Sequence, residues 1–546
     1  PEPEPEPEEN ATTELNHYWD FRNTSLNNTD SISNVDASLV NFSASDSQFS
    51  GIDFDGSTKY IDLGANTINV GGDLTIGNGF GFETYVKNVP VYNEIMDPSG
   101  TWNQIGQDID GEATGDRSGW SVSLSSDGTI VAIGAIFNGG NGSNSGHVRV
   151  YQYANSTWSQ LGNDIDGEAA GDWSGASVSL SSDGTIVAIG ARYNDGNGST
   201  SRGHVRVYQY DGSSWGQIGQ DIDGEAVGDE TGFSVSLSSD GTIVAIGAIE
   251  NDGITERTDD NRGHVRVYQY NGSSWNKLGN DIDGEAAGDE SGYSVSLSSD
   301  GTVVAIGSPF NDSYNGHVRV YKYNGSSWNK LGNDIDGANG QSGYSVSLSS
   351  DGTVVAIGSS SLNYVRVWQY NGSSWGQIGQ DIDGEAGSDE SGKSVSLSSD
   401  GTIVAIGAKK NDGNDSYDSN RGHVRVYQYD GSSWGQIGQD IDGERAGDQS
   451  GYSVSLSSDG TVVAIGAPDN RGNDSNNGNS NNGHVRVYEI SKLQIPVTKH
   501  ILALGDDATN KLELTTGSKT TLSLTNNSTT YDVSSNSALS TSEYSH

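Results

Sequence analysis

Residues 274–323 read SWNKLGNDIDGEAAGDESGYSVSLSSDGTVVAIGSPFNDSYNGHVRVYKY, and this stretch recurs with small changes seven times between Trp102 and Tyr488. The copies are marked by Trp102, Trp158, Trp215, Trp275, Trp328, Trp375 and Trp434. Self-similarity at a fixed period decides an architecture before any local signal does. The copy around residues 177–218 shows what one unit builds. Ser177-Val178-Ser179-Leu180 alternates small polar with apolar residues, the pattern of a half-buried strand. Asp183-Gly184 follows as a two-residue hairpin signal. Residues 185–189 form a β-branched strand that ends at Gly190, and a loop of variable length and sequence comes next. Val205–Tyr210 alternates again, residues 211–214 turn the chain, and Trp215–Ile218 reads as a fourth strand. The segment from Asp221 onward is expected to cross to the next unit.

Four antiparallel strands per unit, with a period of about sixty residues, point to a β-propeller with one unit per blade. The first unit opens with only its fourth-strand sequence, at Trp102, and the last ends with its third-strand sequence, at Tyr488. The opening strand therefore fits the place left open in the last blade. Seven closed blades result, with no free edge at the seam.

Composition narrows the function. The chain has 546 residues, 76 glycines, no cysteine and a formal net charge of -45. That charge excludes a nucleic-acid footprint and disfavours an anionic membrane surface. Basic proteins, cations and neutral glycans remain as partners. Without cysteine, stability has to come from burial alone. No apolar run reaches membrane-spanning length. The opening PEPEPEPEE reads as an acidic extended linker, expected of a piece of a longer modular protein.

The segments Gly292–Gly307 (GYSVSLSSDGTVVAIG) and Gly316–Tyr321 (GHVRVY) resemble the FG-GAP repeats of integrin-type propellers, and are similar to WD-repeat blades in SSDGT and VRVW. The resemblance spans the repeat region and implies the fold rather than an activity. FG-GAP repeats carry calcium in the first hairpin, but here that hairpin is a bare SSDGT turn, so that site is not transferred. Outside the repeats, residues 17–21, 54–64 and 80–87, then 501–505, 511–514 and 539–546, resemble strands of the concanavalin-A-like, laminin-G-like sandwich. The expected fold is thus all-β: a seven-bladed propeller at 100–490, inserted between two parts of a laminin-G-like sandwich at 10–95 and 496–546, after a linker at 1–9. The resemblance implies further strands after His546, so the sandwich is expected to be incomplete.

Each unit carries an acidic segment after its fourth strand: Asp108/Asp110, Asp164/Asp166, Asp221/Asp223, Asp281/Asp283, Asp334/Asp336, Asp381/Asp383 and Asp440/Asp442. Alternating carboxylates beside a glycine turn are oxygen ligands of the kind calcium takes. The other reading is turn hydrogen bonding and pairing with the strand arginines Arg149, Arg206, Arg266, Arg319, Arg366, Arg425 and Arg486. Calcium is the one cofactor these residues suggest. Six units place a histidine before Val-Arg-Val (His147, His204, His264, His317, His423, His484), and the fifth places Tyr364 there. Repetition at one position suggests packing or hydrogen bonding. Asn-x-Ser/Thr sequons occur at Asn10, Asn23, Asn27, Asn41, Asn141, Asn155, Asn197, Asn271, Asn324 and Asn371. They read either as glycan acceptors or as the chance product of a chain rich in Asn, Ser and Thr, several of them inside the NGSS turn.

No polar cluster sets one unit apart from the rest, so no catalytic site is expected. The acidic segments and the variable loops (138–145, 194–202, 251–262, 411–421, 469–482) fall on one face, and the DG and NGSS turns on the other. The function expected is a non-catalytic extracellular or cell- or virion-surface module for adhesion or filament building. It would contact other copies of itself or other surface proteins. A carbohydrate-binding lectin is the alternative and a secreted hydrolase a disfavoured third.

Overall fold

The computed structural model describes residues 91–96, 100–195, 201–252, 260–337, 340–413, 419–471, 481–497, 511–516, 520–526 and 529–533. Among them, seven five-stranded antiparallel sheets follow one another along the chain. In the second blade the strands are Ser174–Leu180, Ile186–Ala191, His204–Tyr210, Trp215–Gln217 and Ile222–Asp223. The last is a correction. Residues 222–223 do not yet cross to the next blade; they pair with the third strand, Ile222 opposite Val205 and Asp223 opposite His204. The cause lies in Ile222, which is buried while the aspartates beside it are not. The Asp-Gly signal is also not a two-residue hairpin but the tip of a connection spanning 181–185. Asp183 Oδ1 accepts bonds from Ser181 Oγ (2.7 Å), Thr185 N (3.0 Å) and Thr185 Oγ1 (2.8 Å), while Gly184 takes a φ of 69°.

The second strand of a blade is a buried run, unbroken in all but the second blade, where Ile186 is half-buried, because neighbouring blades cover both its faces, as in Ile243–Ala248. The first strand alternates buried and half-buried residues, as in Ser294–Leu297. The apolar core consists of clusters that span the junctions. One joins Ile109 and Val485 with Val122, Val131 and Ile133. Each fully buried Val or Ile there contributes about 1.5–3 kcal/mol.

Every marker tryptophan spans a junction in the same way. Its indole N–H donates to a carbonyl of the preceding blade: Trp158 to Ile105 (2.9 Å), Trp215 to Leu161, Trp275 to Ile218, Trp328 to Leu278, Trp375 to Leu331, Trp434 to Ile378 and Trp102 to Ile437 (3.0 Å). The glycine before each junction is required. A Cβ on Gly106 would stand 2.6 Å from the Trp158 ring.

The ring closes as the sequence implies. Trp102–Gln104 pairs with His484–Ile490, Trp102 opposite Ile490, and Ile109 lies opposite Val485. A second, independent closure runs round the central channel. The backbone N–H of Ser126 donates to Ser182 O, Ser182 to Ser239, Ser239 to Ser299, Ser299 to Ser350, Ser350 to Ser399, Ser399 to Ser458, and Ser458 back to Ser126, each at 2.8 Å.

Contacts divide the chain into two units, Ile95–Leu493 with the ring, and Pro1–Glu94 with Gln494–His546. In the second unit the described residues include an antiparallel sheet of Lys511–Thr516, Thr520–Asn526 and Thr529–Val533. A strand expected at 511–514 is therefore present. The other segments read as laminin-G-like lie outside the described residues.

Candidate functional site

The motif Ser/Thr-Gly-x-Ser-Val-Ser leads into each first strand, and within it the x position varies most: Trp120, Ala176, Phe233, Tyr293, Tyr344, Lys393 and Tyr452. These seven residues, all half-buried, form a collar at the mouth of the channel on the loop face. Trp120 packs on Tyr452 (4.7 Å between centroids), Phe233 on Tyr293 (4.8 Å) and Tyr293 on Tyr344 (4.8 Å). Lys393 Nζ sits 4.5 Å from the Tyr344 ring and 4.6 Å from that of Tyr452, and donates to Tyr344 Oη at 3.0 Å. Where Ala176 leaves room, Trp173 and Arg192 move in. The Arg192 guanidinium lies 5.0 Å from both the Trp173 and Phe233 rings. Sequence reading missed this collar, although the signal was present as variation inside an otherwise fixed frame.

The collar gathers opposite charges. Arg117 pairs with Asp469 (3.2 Å), Arg192 with Glu230 (3.7 Å) and Lys409 with Glu390 (3.1 Å). Burial pushes Glu230 up to about 7 against the pull of Arg192, and Glu290 also to about 7. Burial raises the Tyr344 hydroxyl too, but Lys393 outweighs it and the net shift is downward.

The other end of the same channel is uniform. Ser126, Ser182, Ser239, Ser299, Ser350, Ser399 and Ser458 line a cavity of ≈ 150 Å³. Their hydroxyls bond one another, as in Ser239 to Ser299 (3.0 Å) and Ser299 to Ser350 (2.9 Å).

In six blades the first aspartate of the pair stands in a cluster with a histidine and a glutamate. The second members, with one exception, act through their backbone. The carbonyls of Asp110, Asp166, Asp223, Asp283, Asp383 and Asp442 accept from Arg149, Arg206, Arg266, Arg319, Arg425 and Arg486 of the following blade, at 2.7–3.1 Å. Asp336 is the exception. It is exposed and lies opposite His317 in the ladder, yet Asp334, not Asp336, joins His317 and Glu285 in a cluster. The arginine of the following blade, Arg366, turns to Asp381 instead of the Asp336 carbonyl. Burial, and next the neighbouring aspartate, raises the side chains of Asp110, Asp166, Asp223 and Asp283. The first members Asp108, Asp164, Asp221, Asp281, Asp334 and Asp440 lie beside the buried histidine of their own blade, together with a glutamate from the preceding crossover. The arginines do pair with carboxylates, chiefly with those glutamates, as Arg149 with Glu112 (3.5 Å) and Arg266 with Glu225 (3.4 Å).

The fifth blade departs throughout. Ala338 stands where the other crossovers have glutamate, Tyr364 replaces histidine, and Arg366 holds Asp381 in a bidentate pair at 2.9 and 2.8 Å. That pair holds Asp381 below its ordinary range. The first-hairpin carboxylates bond within their own turns, as Asp127 does with Ser125 and Thr129.

Asn141, Asn155, Asn271, Asn324 and Asn371 are exposed. Asn271 Oδ1 accepts from the backbone N–H of Ser273 and Ser274 (2.9 Å each). Asp211 and Asp430 occupy that place in two other blades with the same bonds, which pull both carboxyls down to about 2. The asparagine of NGSS is thus a turn residue in its own right. Asn10, Asn23, Asn27, Asn41 and Asn197 lie outside the described residues.

The FG-GAP repeat family model matches residues 109–151, from the fifth strand of the seventh blade into the third strand of the first. No curated protein matches the chain. Among solved structures, the β-propeller domain of Cps50 (Swd1) from Myceliophteria thermophila is similar at 10% identity, over 71% of this chain and 99% of that one, with a TM-score of 0.45.

Proposed function

We propose that the ring is a non-catalytic protein-interaction module that makes its contacts through the loop face. The observation that carries this is the asymmetry of the two faces. The serine end is the same in every blade, whereas at the collar end the collar position and the loops around it vary from blade to blade. The large apolar side chains left exposed among the described residues, Val227 (53%), Tyr314 (63%) and Leu362 (47%), belong to crossovers and loops of that same face. Apolar side chains exposed beside polar loops mark contact surfaces. In the fuller reading the chain is an extracellular or surface module, with the ring set into a laminin-G-like sandwich. It acts in adhesion or in building a filament from copies of itself.

The test is sedimentation of the full chain over a concentration series. Self-association at least tenfold weaker in Tyr314→Ser/Leu362→Ser, and unchanged in Ser273→Lys on the turn face, is the expected result. A wild-type chain that stays monomeric throughout, or equal loss in both variants, would contradict it. The aromatic collar favours a second reading, carbohydrate binding, in which rings stack on sugar faces. A glycan array that lights up with the wild type and goes dark with Trp120→Ala would decide for it.

A further inference from the structure

The geometry points to a ring of divalent metal sites, one at each of six blade junctions, built from a histidine, a glutamate and an aspartate. The ligand chemistry is that of a zinc-type first-row cation, because an imidazole nitrogen with two carboxylates suits such ions and calcium takes oxygen alone.

In the first blade His147 is 1% exposed, and its Nδ1 has no hydrogen-bond partner. It faces Asp164 Oδ2 at 3.8 Å and Glu112 Oε2 at 3.9 Å, too far for hydrogen bonds. His423 repeats this, its Nδ1 unpartnered and 3.8 Å from Asp440 Oδ2 and 3.9 Å from Glu385 Oε2. His264 and His317 differ: their unpartnered nitrogen is Nε2, whereas it is Nδ1 of His317 that faces Glu285 Oε2, at 4.0 Å. Two zinc bonds of ordinary length place their donors roughly 3.3 Å apart. The site has to contract by about half an ångström, and the parts that move are carboxylates 30% and 44% exposed.

Each carboxylate is already aimed. Glu112 turns its other oxygen to Arg149 at 3.5 Å, and Asp164 turns its other oxygen to Gln160 Nε2 at 2.6 Å. Outer partners of this kind fix the orientation of metal ligands. The fifth blade loses the three ligands together, with Ala338, Tyr364 and an Asp381 taken by Arg366.

The sites fall into two classes. Asp108, Asp164, Asp221 and Asp440 are backed by a neutral glutamine. Asp281 and Asp334 are backed by the ammonium groups of Lys277 and Lys330, at 2.8 and 2.7 Å. A cation on the same carboxylate competes with the metal, so these two sites are weaker.

Untagged full-length chain, stripped with a chelator and titrated calorimetrically with zinc chloride, with metal per chain counted by elemental mass spectrometry, tests the proposal. The expected result is four tight sites and two at least tenfold weaker. Asp164→Asn/Asp440→Asn should leave two tight sites, and Lys277→Gln/Lys330→Gln should raise the tight class to six. Absence of zinc binding, an unchanged count in the aspartate variant, or calcium binding that zinc does not displace would overturn it.

Discussion

At the scale of single residues, Glu230 shows how the ring distributes the cost of its polar interior. It is 6% exposed, and burial pushes its carboxyl up to about 7 although Arg192 stands 3.7 Å away. Between pH 4.5 and 7 the native chain therefore holds a proton that the unfolded chain has released. Native binding exceeds unfolded binding, so stability falls as pH rises through this window and levels off above 7. A gap from 4.5 to about 7 corresponds to roughly 3 kcal/mol. Glu230→Gln removes the charge and keeps the shape. The variant should match the parent near pH 4 and exceed it by up to about 3 kcal/mol at pH 8, as read from urea unfolding at both pH values. An advantage that does not grow with pH would show that the carboxylate is fully solvated. Glu290 acts in the same direction. The marker tryptophans contribute in a different currency. Truncating one leaves a carbonyl of the preceding blade without its donor, and a buried polar group so orphaned costs about 1–3 kcal/mol beyond the lost packing.

At the scale of elements, the seam is the one junction where the covalent chain does not join neighbouring strands. Asn103 lies opposite Glu489 in that ladder, and Asn103 is exposed. The chain contains no cysteine, so Asn103→Cys/Glu489→Cys introduces the only two thiols. They should pair on oxidation, seen as loss of thiol titre, and add up to about 5 kcal/mol against denaturant by closing a very long loop. Thiols that stay free would place the opening strand outside the seventh blade. Much of this was legible beforehand, because strands, turn glycines and the missing strand at each end repeat in fixed order. The fifth strand was hidden because a two-residue Ile-Asp element has no period to detect. The histidine clusters were hidden for another reason. Glu112 and His147 lie in one copy while Asp164 follows the marker tryptophan of the next, so their adjacency is a product of strand and blade packing and not of spacing within a repeat. The collar was legible in principle, since Trp120, Ala176 and Lys393 stand at one position of an invariant frame.

At the scale of the whole molecule, the choice between a ring and a stack of repeats has a mechanical consequence. In an open solenoid each unit contacts only its neighbours, and removing one shortens the array without breaking it. Here every junction is closed by an indole hydrogen bond, the serine amides form a circuit that returns to Ser126, and Ser491 N–H donates to Thr101 O at 2.9 Å across the seam. Those bonds fix the angle between blades, and seven such angles complete the turn. Deleting one full unit, residues 231–290, leaves every local strand sequence intact but six angles to span the same circuit. The opening strand could then reach the last blade only if all remaining junctions re-pack. The ring excised as residues 100–491 should melt in a single cooperative transition by calorimetry. The same fragment lacking 231–290 should lose that transition and expose apolar surface, read as binding of a hydrophobic dye. If the shortened fragment instead melts cooperatively at a slightly lower temperature, the units add as in a solenoid, and the closed circuit is not what holds the blades.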